Sequence, residues 1–210
     1  MSDLLPLFPL PNVVLFPNVF LPLHIFEPRY REMVADALAS DRMIGMVLLR
    51  PGWERNYEDR PPVYPIGCSG VITHAERLRD GRYDIVLRGL DRFRIVDENQ
   101  ERSYRRAVVE PLADETPSGD QRRIIHACRT KLEALVGSDP RVGDARIPPA
   151  MSDEDLVNAL AQYLDLEALE KQALLEKSCL RARAESLVEL LEMKTLMART
   201  PWASKKNLAV

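Results

Sequence analysis

The chain is 210 residues long and carries 29 basic and 32 acidic side chains, which gives a formal net charge of −3. Hydrophobic residues make up 46% of it and charged residues 29%, a composition that excludes a largely disordered protein. The near-neutral balance argues against a dedicated nucleic-acid-binding protein. The three cysteines lie far apart without a C-x-x-C pair, so the sequence predicts neither a disulfide framework nor a zinc site and favours the reducing cytoplasm.

The N-terminal region contains a long uncharged stretch that runs from Leu4 to Leu23. Its length approaches that of a bilayer span, but each proline inside it would cost a helix about 3 kcal/mol. Asp3 also stands where a secretory signal has basic residues. We therefore expect no membrane partner and predict short edge strands and polyproline-like passages packed on a core. The interrupting prolines are Pro6, Pro9, Pro11, Pro17 and Pro22.

A helix, two strands and a hairpin follow. In the segment EPRYREMVADALASD, Pro28 suits a first helical turn and apolar residues recur at helical spacing. Residues 43–49 and 63–73 are predicted strands joined by an exposed polar loop. The pair Asp80-Gly81 predicts a β-hairpin with a type I′ turn. The predicted inner face of the helix comprises Phe26, Tyr30, Met33, Val34, Ala37 and Leu38.

Strand character continues to Pro111, with apolar and polar residues alternating from Tyr83 onwards. Short antiparallel strands with one inserted helix predict a closed or nearly closed β-barrel domain over residues 1–113. Breaker residues around Pro117 then give way to four amphipathic helical patterns, which predict a C-terminal helical bundle as a subdomain over residues 119–200. The expected fold class is α+β.

Motifs for catalysis and for cofactor binding are missing from the sequence. None of the nine glycines is followed by lysine, which excludes a GxxxxGK[ST] phosphate loop, and no GxGxxG occurs. Gly67-Cys68-Ser69-Gly70 does not meet the GxSxG spacing of a hydrolase elbow. The histidines are scattered without a ligand spacing. The sequence therefore predicts no enzyme, no cofactor and no metal.

Two groups of aromatic residues are candidates for binding. Trp53 and Tyr57 lie in the polar loop, where exposed aromatic side chains often anchor a partner. Phe16 and Phe20 lie in the proline-rich segment, where they could line a groove that accepts an extended chain. Packing on the protein's own core is the competing interpretation for each group. We take these four as candidate polypeptide-binding residues.

Two longer segments resemble one family. LPLFPLPNVVLFPNVFLPLHIFEPRYREMV resembles the start of the N-terminal substrate-binding domain of the ATP-dependent protease Lon, including its signature LPLHIFEPRYR. IGCSGVITHAERLRDGRYDIVLRGLDRFRI resembles the second signature of that domain. The resemblance covers nearly the whole chain. It implies a PUA-like β-barrel followed by a helical subdomain, and a role in recognising unfolded or tagged polypeptides.

The ATPase and Ser/Lys protease domains of Lon are missing from the sequence, so the resemblance implies a stand-alone, non-catalytic module. We expect it to bind unfolded or extended polypeptide, as an adaptor or holdase beside a protease or chaperone, through apolar burial and backbone pairing. The signature itself is explained structurally: Pro28 starts the helix, Arg29 braces it against the barrel, and Gly89 permits a close strand approach. The signature positions are Pro22, Phe26, Glu27, Pro28, Arg29, Tyr30, Gly67 and Gly89.

Two other classes of function stay open. PUA-like barrels resemble RNA-recognition domains, and an RNA-binding module would bind through its arginines in a salt-sensitive way, although the acidic balance counts against nucleic acid. A hydrolase assembled from distant residues, for instance around Cys68 and Ser69, is the third class. The sequence leaves the client and the oligomeric state undecided.

Overall fold

The computed structural model describes residues 4–56, 60–99, 101–114, 116–137 and 150–199. Strands dominate the N-terminal part and helices the C-terminal part, which confirms the predicted α+β class. The strands are β1 (Leu5–Leu10), β2 (Phe20–Ile25), β3 (Met43–Leu48), β4 (Ile66–Arg77), β5 (Tyr83–Asn99) and β6 (Arg105–Leu112). The helices are α1 (Pro28–Leu38), α2 (Gly119–Gly137), α3 (Asp153–Tyr163), α4 (Ala168–Leu175) and α5 (Leu180–Arg199), with a short 3₁₀ helix at Trp53–Asn56.

The strands form one mixed sheet in the order β2-β5-β4-β3-β1-β6. Strand β6 pairs with β1 and also with β5, so every strand except β2 belongs to a closed circuit of pairing. Among the described strands, β2 pairs with β5 alone. The prediction of an entirely antiparallel arrangement is wrong for β1 and β3, which are parallel. The reason is that β2 and α1 lie between them and return the chain to its first direction.

Strand β1 is an interior strand although it contains Pro6 and Pro9. Residues 5–7 pair with β6, whereas residues 7–10 pair with β3 on the other side. Each proline thus lies where β1 is paired on one side only, so its missing N–H need not interrupt a ladder. The edge-strand prediction is wrong for β1 and is confirmed for β2, which contains Pro22.

The predicted hairpin joins β4 and β5. The N–H of Leu78 donates to the carbonyl of Arg82 at 2.8 Å, and the N–H of Gly81 donates to the carbonyl of Leu78 at 2.9 Å. Gly81 has a φ of +82°, whereas Asp80 has no positive φ. A type I′ turn needs positive φ at both central residues, so the predicted turn type is wrong. The loop is the longer form in which a glycine alone is left-handed.

Helix α1 begins at Pro28, and its apolar stripe packs inward as predicted. Phe26 is the exception, because 61% of it is exposed. The backbone at Glu27 is extended, with φ −65° and ψ 134°, so Phe26 precedes the helix and does not follow the helical period. The buried residues of α1 are Tyr30, Met33, Val34 and Ala37, and the strands enclose a core cluster of Leu7, Val47, Phe93 and Ala107.

The described residues group into two compact units. The first comprises those of Met1–Ala113 and Asn158–Glu176, and the second those of Asp114–Val157 and Lys177–Val210. The four predicted helical segments are confirmed as α2 to α5, but α4 and the end of α3 belong to the first unit. The boundaries 1–113 and 119–200 stay a prediction about which pieces fold independently.

The second unit buries charged side chains that are paired. Arg129 of α2 has its Nε 2.8 Å from Glu133 and its Nη1 3.1 Å from Asp153. Arg183 of α5 is fully buried, with Nη2 3.2 Å from Asp114. Because an unpaired buried charge is strongly destabilising, these pairs constrain how the elements of this unit pack together.

Candidate functional site

Strand β2 presents a row of exposed side chains at the edge of the sheet. Phe20, Pro22 and His24 are exposed, whereas the residues between them are partly buried. This alternation follows from the two-residue period of a strand. Phe26, just after the strand, is also exposed, and its ring stacks on that of His24 with centroids 6.3 Å apart. We call Phe20, Pro22, His24 and Phe26 the β2 edge.

The outward backbone groups of β2 follow the same period. Both polar backbone groups of Phe20 contact the hydroxyl of Tyr163, which donates to the carbonyl at 2.8 Å and accepts from the N–H at 3.3 Å. Residues of an antiparallel strand alternate between bonding the partner strand and facing away from it, so Pro22 and His24 face away from β5 as Phe20 does. Pro22 has no N–H. The N–H of His24 and the carbonyls of Pro22 and His24 therefore face outward, where a further strand could pair.

The end of α3 holds the segment that leads into β2. The side-chain carbonyl of Gln162 accepts the N–H of Phe16 at 3.2 Å, beside the contact between Tyr163 and Phe20. The ammonium group of Lys171 donates to the main-chain carbonyl of Gln162 at 2.6 Å. Burial lowers the pKa of Lys171. This polar network positions the start of the β2 edge and presents Tyr163 at its outer side.

A chain of polar groups lies beside the other end of the β2 edge. The Nδ1 of His24 is 2.6 Å from a carboxylate oxygen of Asp84, and its Nε2 is 3.1 Å from Nη1 of Arg82. Arginine can only donate, so the neutral imidazole with its proton on Nδ1 satisfies both contacts. Arg82 in turn pairs with Asp80 at 2.6 Å, and hydrogen bonding from the Arg82 N–H lowers the pKa of Asp80. This series of polar contacts from Asp84 through His24 and Arg82 to Asp80 orients the His24 ring on which Phe26 stacks.

The structure distributes the four sequence-predicted binding residues over different environments. Phe20 lies on the β2 edge and is 50% exposed. Phe16 is fully buried, so in this structure it is a core residue with no surface to offer a partner. Trp53 is partly buried in the 3₁₀ helix that follows β3. Tyr57 lies outside the described residues.

No sequence pattern indicated Tyr163 as a site residue, or that Pro22, His24 and Phe26 share a surface with Phe20. The alternation in FLPLHI contained a signal for the row of exposed side chains, because a half-buried strand has that pattern. Tyr163 had no comparable signal, since it is 143 residues away from Phe20 in the chain.

Within the described residues, no group of three or more His, Cys, Asp or Glu side chains could hold a metal ion. In the same part of the chain, no helix has the length and apolar character needed to cross a membrane. The arrangement on the β2 edge instead offers apolar surface and backbone hydrogen bonding.

Comparison with known families decides where the chain belongs. The family model described as the ATP-dependent protease La (LON) substrate-binding domain matches residues 4–193. The chain belongs to the LON substrate-binding domain family. This confirms the resemblance seen in its two signature segments.

The similar curated proteins are Lon proteases. Lon protease 2 of Myxococcus xanthus is 29% identical over 202 residues, which cover 91% of this chain and 24% of the relative. The Lon protease of Anaeromyxobacter dehalogenans is 27% identical over 199 residues, covering 90% of this chain and 23% of the relative. The chain thus spans about a quarter of the length of these curated relatives.

Two solved structures share the LON-domain fold. A Lon N-terminal domain protein from Xanthomonas campestris superposes with a TM-score of 0.57 at 23% identity, covering 95% of this chain and 99% of that one. The N-terminal domain of the Mycobacterium avium complex Lon protease gives a TM-score of 0.65 at 18% identity, with coverages of 90% and 98%. Both support the same fold for this chain.

The LON signature residues contact one another and the sheet. Pro28 is the first residue of α1, and Arg29 has Nη2 3.0 Å from Glu27 and its guanidinium 4.7 Å from the ring centre of Tyr30. The backbone of Gly89 exchanges hydrogen bonds with Asn18 and Val19 at 3.0 and 2.9 Å. That close approach positions the entry to the β2 edge.

Two signature glycines leave no room for a side chain. A Cβ at Gly89 would overlap the carbonyl oxygen of Phe16, and one at Gly67 would overlap that of Met46. Both obstacles are backbone atoms, which cannot rotate away as the end of a flexible side chain can. Close backbone packing therefore accounts for glycine at both positions.

Proposed function

We propose that this LON-domain chain recognises unfolded or extended polypeptide without cleaving it. The observation that carries the proposal is the β2 edge. There, exposed apolar side chains and outward-facing backbone groups lie along a strand that pairs with β5 on one side and with no described strand on the other. An extended polypeptide binds such an edge by adding a strand: main-chain hydrogen bonds supply affinity, and alternate side chains supply selectivity. The family's description as a substrate-binding domain of a protease supports this occupant.

The composition of the β2 edge favours a client over a second copy of the same strand. Pro22 interrupts the row of N–H donors, and a proline on an exposed edge disfavours indiscriminate pairing. A client strand can still donate its own N–H groups to the carbonyls of Pro22 and His24. Phe20 and Phe26 then supply exposed apolar surface for client side chains.

The role that follows is that of an adaptor or holdase, which keeps a polypeptide extended for a protease or chaperone. Its support is that the family model matching residues 4–193 describes a substrate-binding domain. We also propose a reducing, cytoplasmic setting, supported by the free thiols of Cys68, Cys128 and Cys179.

Fluorescence anisotropy tests the proposal directly. The probe is a labelled polypeptide made permanently unfolded by reduction and carboxymethylation, titrated with the full chain, and a labelled structured RNA is titrated in parallel. We expect saturable binding of the polypeptide that changes little between about 50 and about 200 mM salt, because apolar burial and backbone pairing dominate. Binding through arginines to RNA would instead weaken steeply over that range.

The native form of the same probe protein, with its disulfides intact, is the matched control. Preference for the unfolded form supports recognition of extended chain. Equal binding of both forms, binding of the RNA alone, or binding of none of the probes would overturn the proposed function.

A further inference from the structure

Helix α3 ends against the outer side of the β2 edge, and both belong to the first unit. The carbonyl groups in the last turn of a helix have no partner within the helix. In α3 the N–H of Leu166, which would reach the carbonyl of Gln162 in a continuing helix, donates to the carbonyl of Leu164 instead at 2.8 Å. The ammonium group of Lys171 on α4 donates to the Gln162 carbonyl at 2.6 Å. A side chain of the next helix therefore holds the end of α3.

Lys171 makes this contact from a partly buried position. Burial lowers its pKa, whereas the charge of Asp165 acts in the opposite direction. A charged group that is partly removed from water needs a hydrogen-bond acceptor, so losing the Gln162 carbonyl would be costly for the ammonium group. The contact therefore restricts where the end of α3 can lie.

Gln162 is held by its main chain and by its side chain. Its main-chain carbonyl accepts from Lys171, and its side-chain carbonyl accepts the N–H of Phe16 at 3.2 Å. Tyr163 is the next residue, and its hydroxyl contacts both polar backbone groups of Phe20. Tyr163 is 63% exposed, so packing alone does not hold its ring against the strand. Its position is set by these hydrogen bonds and by the fixed backbone of Gln162.

We propose that Lys171 is a positioning residue that lowers the affinity of the β2 edge for polypeptide by keeping Tyr163 on Phe20. This inference rests on the proposed function and names a regulation of the same site. The Tyr163 hydroxyl occupies the two backbone groups that a client strand would use at Phe20, so the contact is autoinhibitory. When only a fraction of the molecules have an accessible edge, the apparent affinity falls by that fraction. Weakening the contact made by Lys171 raises this fraction and with it the affinity.

Lys171→Met tests the inference, because methionine keeps an unbranched apolar side chain and removes the donor. In anisotropy titrations with the unfolded, carboxymethylated polypeptide, we expect the affinity to rise about two- to fivefold. Amide hydrogen exchange of the free protein should become faster at Phe20, which a loss of stability elsewhere would not produce selectively. Lys171→Arg keeps a donor and should restore the wild-type affinity and exchange. Urea unfolding checks that each variant is folded.

A double-mutant cycle shows whether Lys171 acts through Tyr163. In a Tyr163→Phe background, Lys171→Met should change the affinity by less than about 1.5-fold, because the contact that it supports is already gone. Lys131→Met is the matched control, since it removes the same charge from an exposed position on α2 and should alter neither affinity nor exchange.

Unchanged affinity in Lys171→Met, or an increase that persists in full in the Tyr163→Phe background, would overturn this inference and leave polypeptide binding intact. Failure of the wild type to bind polypeptide would overturn the proposed function together with it.

Discussion

The hydroxyl of Tyr163 closes the outer side of the backbone at Phe20, donating to its carbonyl and accepting from its N–H. A neighbouring strand would use these same two groups. In the free protein, Tyr163 thus binds the outward backbone groups of Phe20 on a side of β2 where no described strand pairs. A client that pairs along the whole β2 edge must displace it.

Tyr163→Phe should therefore raise the affinity for unfolded polypeptide by about two- to tenfold, because the two hydrogen bonds between the hydroxyl and Phe20 no longer have to be exchanged when a client strand pairs there. The ring remains, so the packing is preserved. Anisotropy measures the affinity, and amide hydrogen exchange should show faster exchange at Phe20 in the free protein. Tyr64→Phe is the control, because Tyr64 lies outside the β2 edge. Unchanged affinity despite faster exchange would exclude this edge as the docking strand.

Phe20→Ala and Phe26→Ala should each weaken polypeptide binding by about 1–2 kcal/mol, because exposed aromatic side chains on a docking surface contribute most of the apolar contact. Unfolding free energies should change by less than about 1 kcal/mol, since both rings are at least half exposed. Val96→Ala, which shortens another exposed apolar side chain in the first unit, should alter neither quantity. A matching loss of affinity in Val96→Ala would indicate nonspecific apolar binding.

Gly89→Ala should destabilise the first unit by about 1–3 kcal/mol, because the added Cβ would overlap the carbonyl oxygen of Phe16 and force the backbone apart. Urea unfolding followed by circular dichroism measures the loss. Gly119→Ala is the control, since a Cβ there has nothing within 4 Å. If Gly89→Ala were as stable as the wild type, the backbone at Phe16 and the strand that contains Gly89 could move apart without a cost in free energy.

The free energy of unfolding should fall between about pH 10 and pH 12 because of the shifted pKa of Tyr104. Burial and its hydrogen bond to Asp36, at 2.6 Å, raise the pKa of Tyr104 to about 12. The folded state therefore holds the phenol proton more tightly than the unfolded state does. That contribution is complete below pH 10, near the unfolded pKa, and disappears as the pH rises through the folded pKa.

The comparison with Tyr104→Phe isolates this effect from other groups that titrate at high pH. The difference in unfolding free energy between wild type and variant should be largest below pH 10 and should shrink by about 2 kcal/mol towards pH 12. Urea unfolding at a series of pH values measures it. A difference that stays constant with pH would mean that Tyr104 titrates normally in the folded protein.

Much of the local structure could be predicted because neighbouring residues decide it. Pro28 and the spacing of Tyr30, Met33 and Val34 determine where α1 begins and which face it buries. The alternation after Tyr83 predicted the inward side of β5. The turn type at Asp80-Gly81 was wrong because flanking strand geometry, and not the dipeptide alone, selects among hairpin loops.

The candidate site was only partly predictable. Phe20 was identified from its sequence context, but the same context suggested Phe16, which is fully buried. Both lie in one proline-rich apolar segment, and periodicity cannot tell which aromatic ring has core atoms on every side. Burial depends on packing partners such as Gln162, which is far away in the chain.

By itself the sequence determined the α+β class, the family and the order of the elements, because these depend on local patterns and on long matching segments. The tertiary structure alone decided that β2 lies outside the closed circuit of strands, paired with β5 on one side, and that Tyr163 lies against its other side. Strand order and the contact between Phe20 and Tyr163, 143 residues apart, depend on which distant segments pack together. Which distant segments pack together depends on the free energy of the whole folded unit, and a short stretch of sequence does not contain that information.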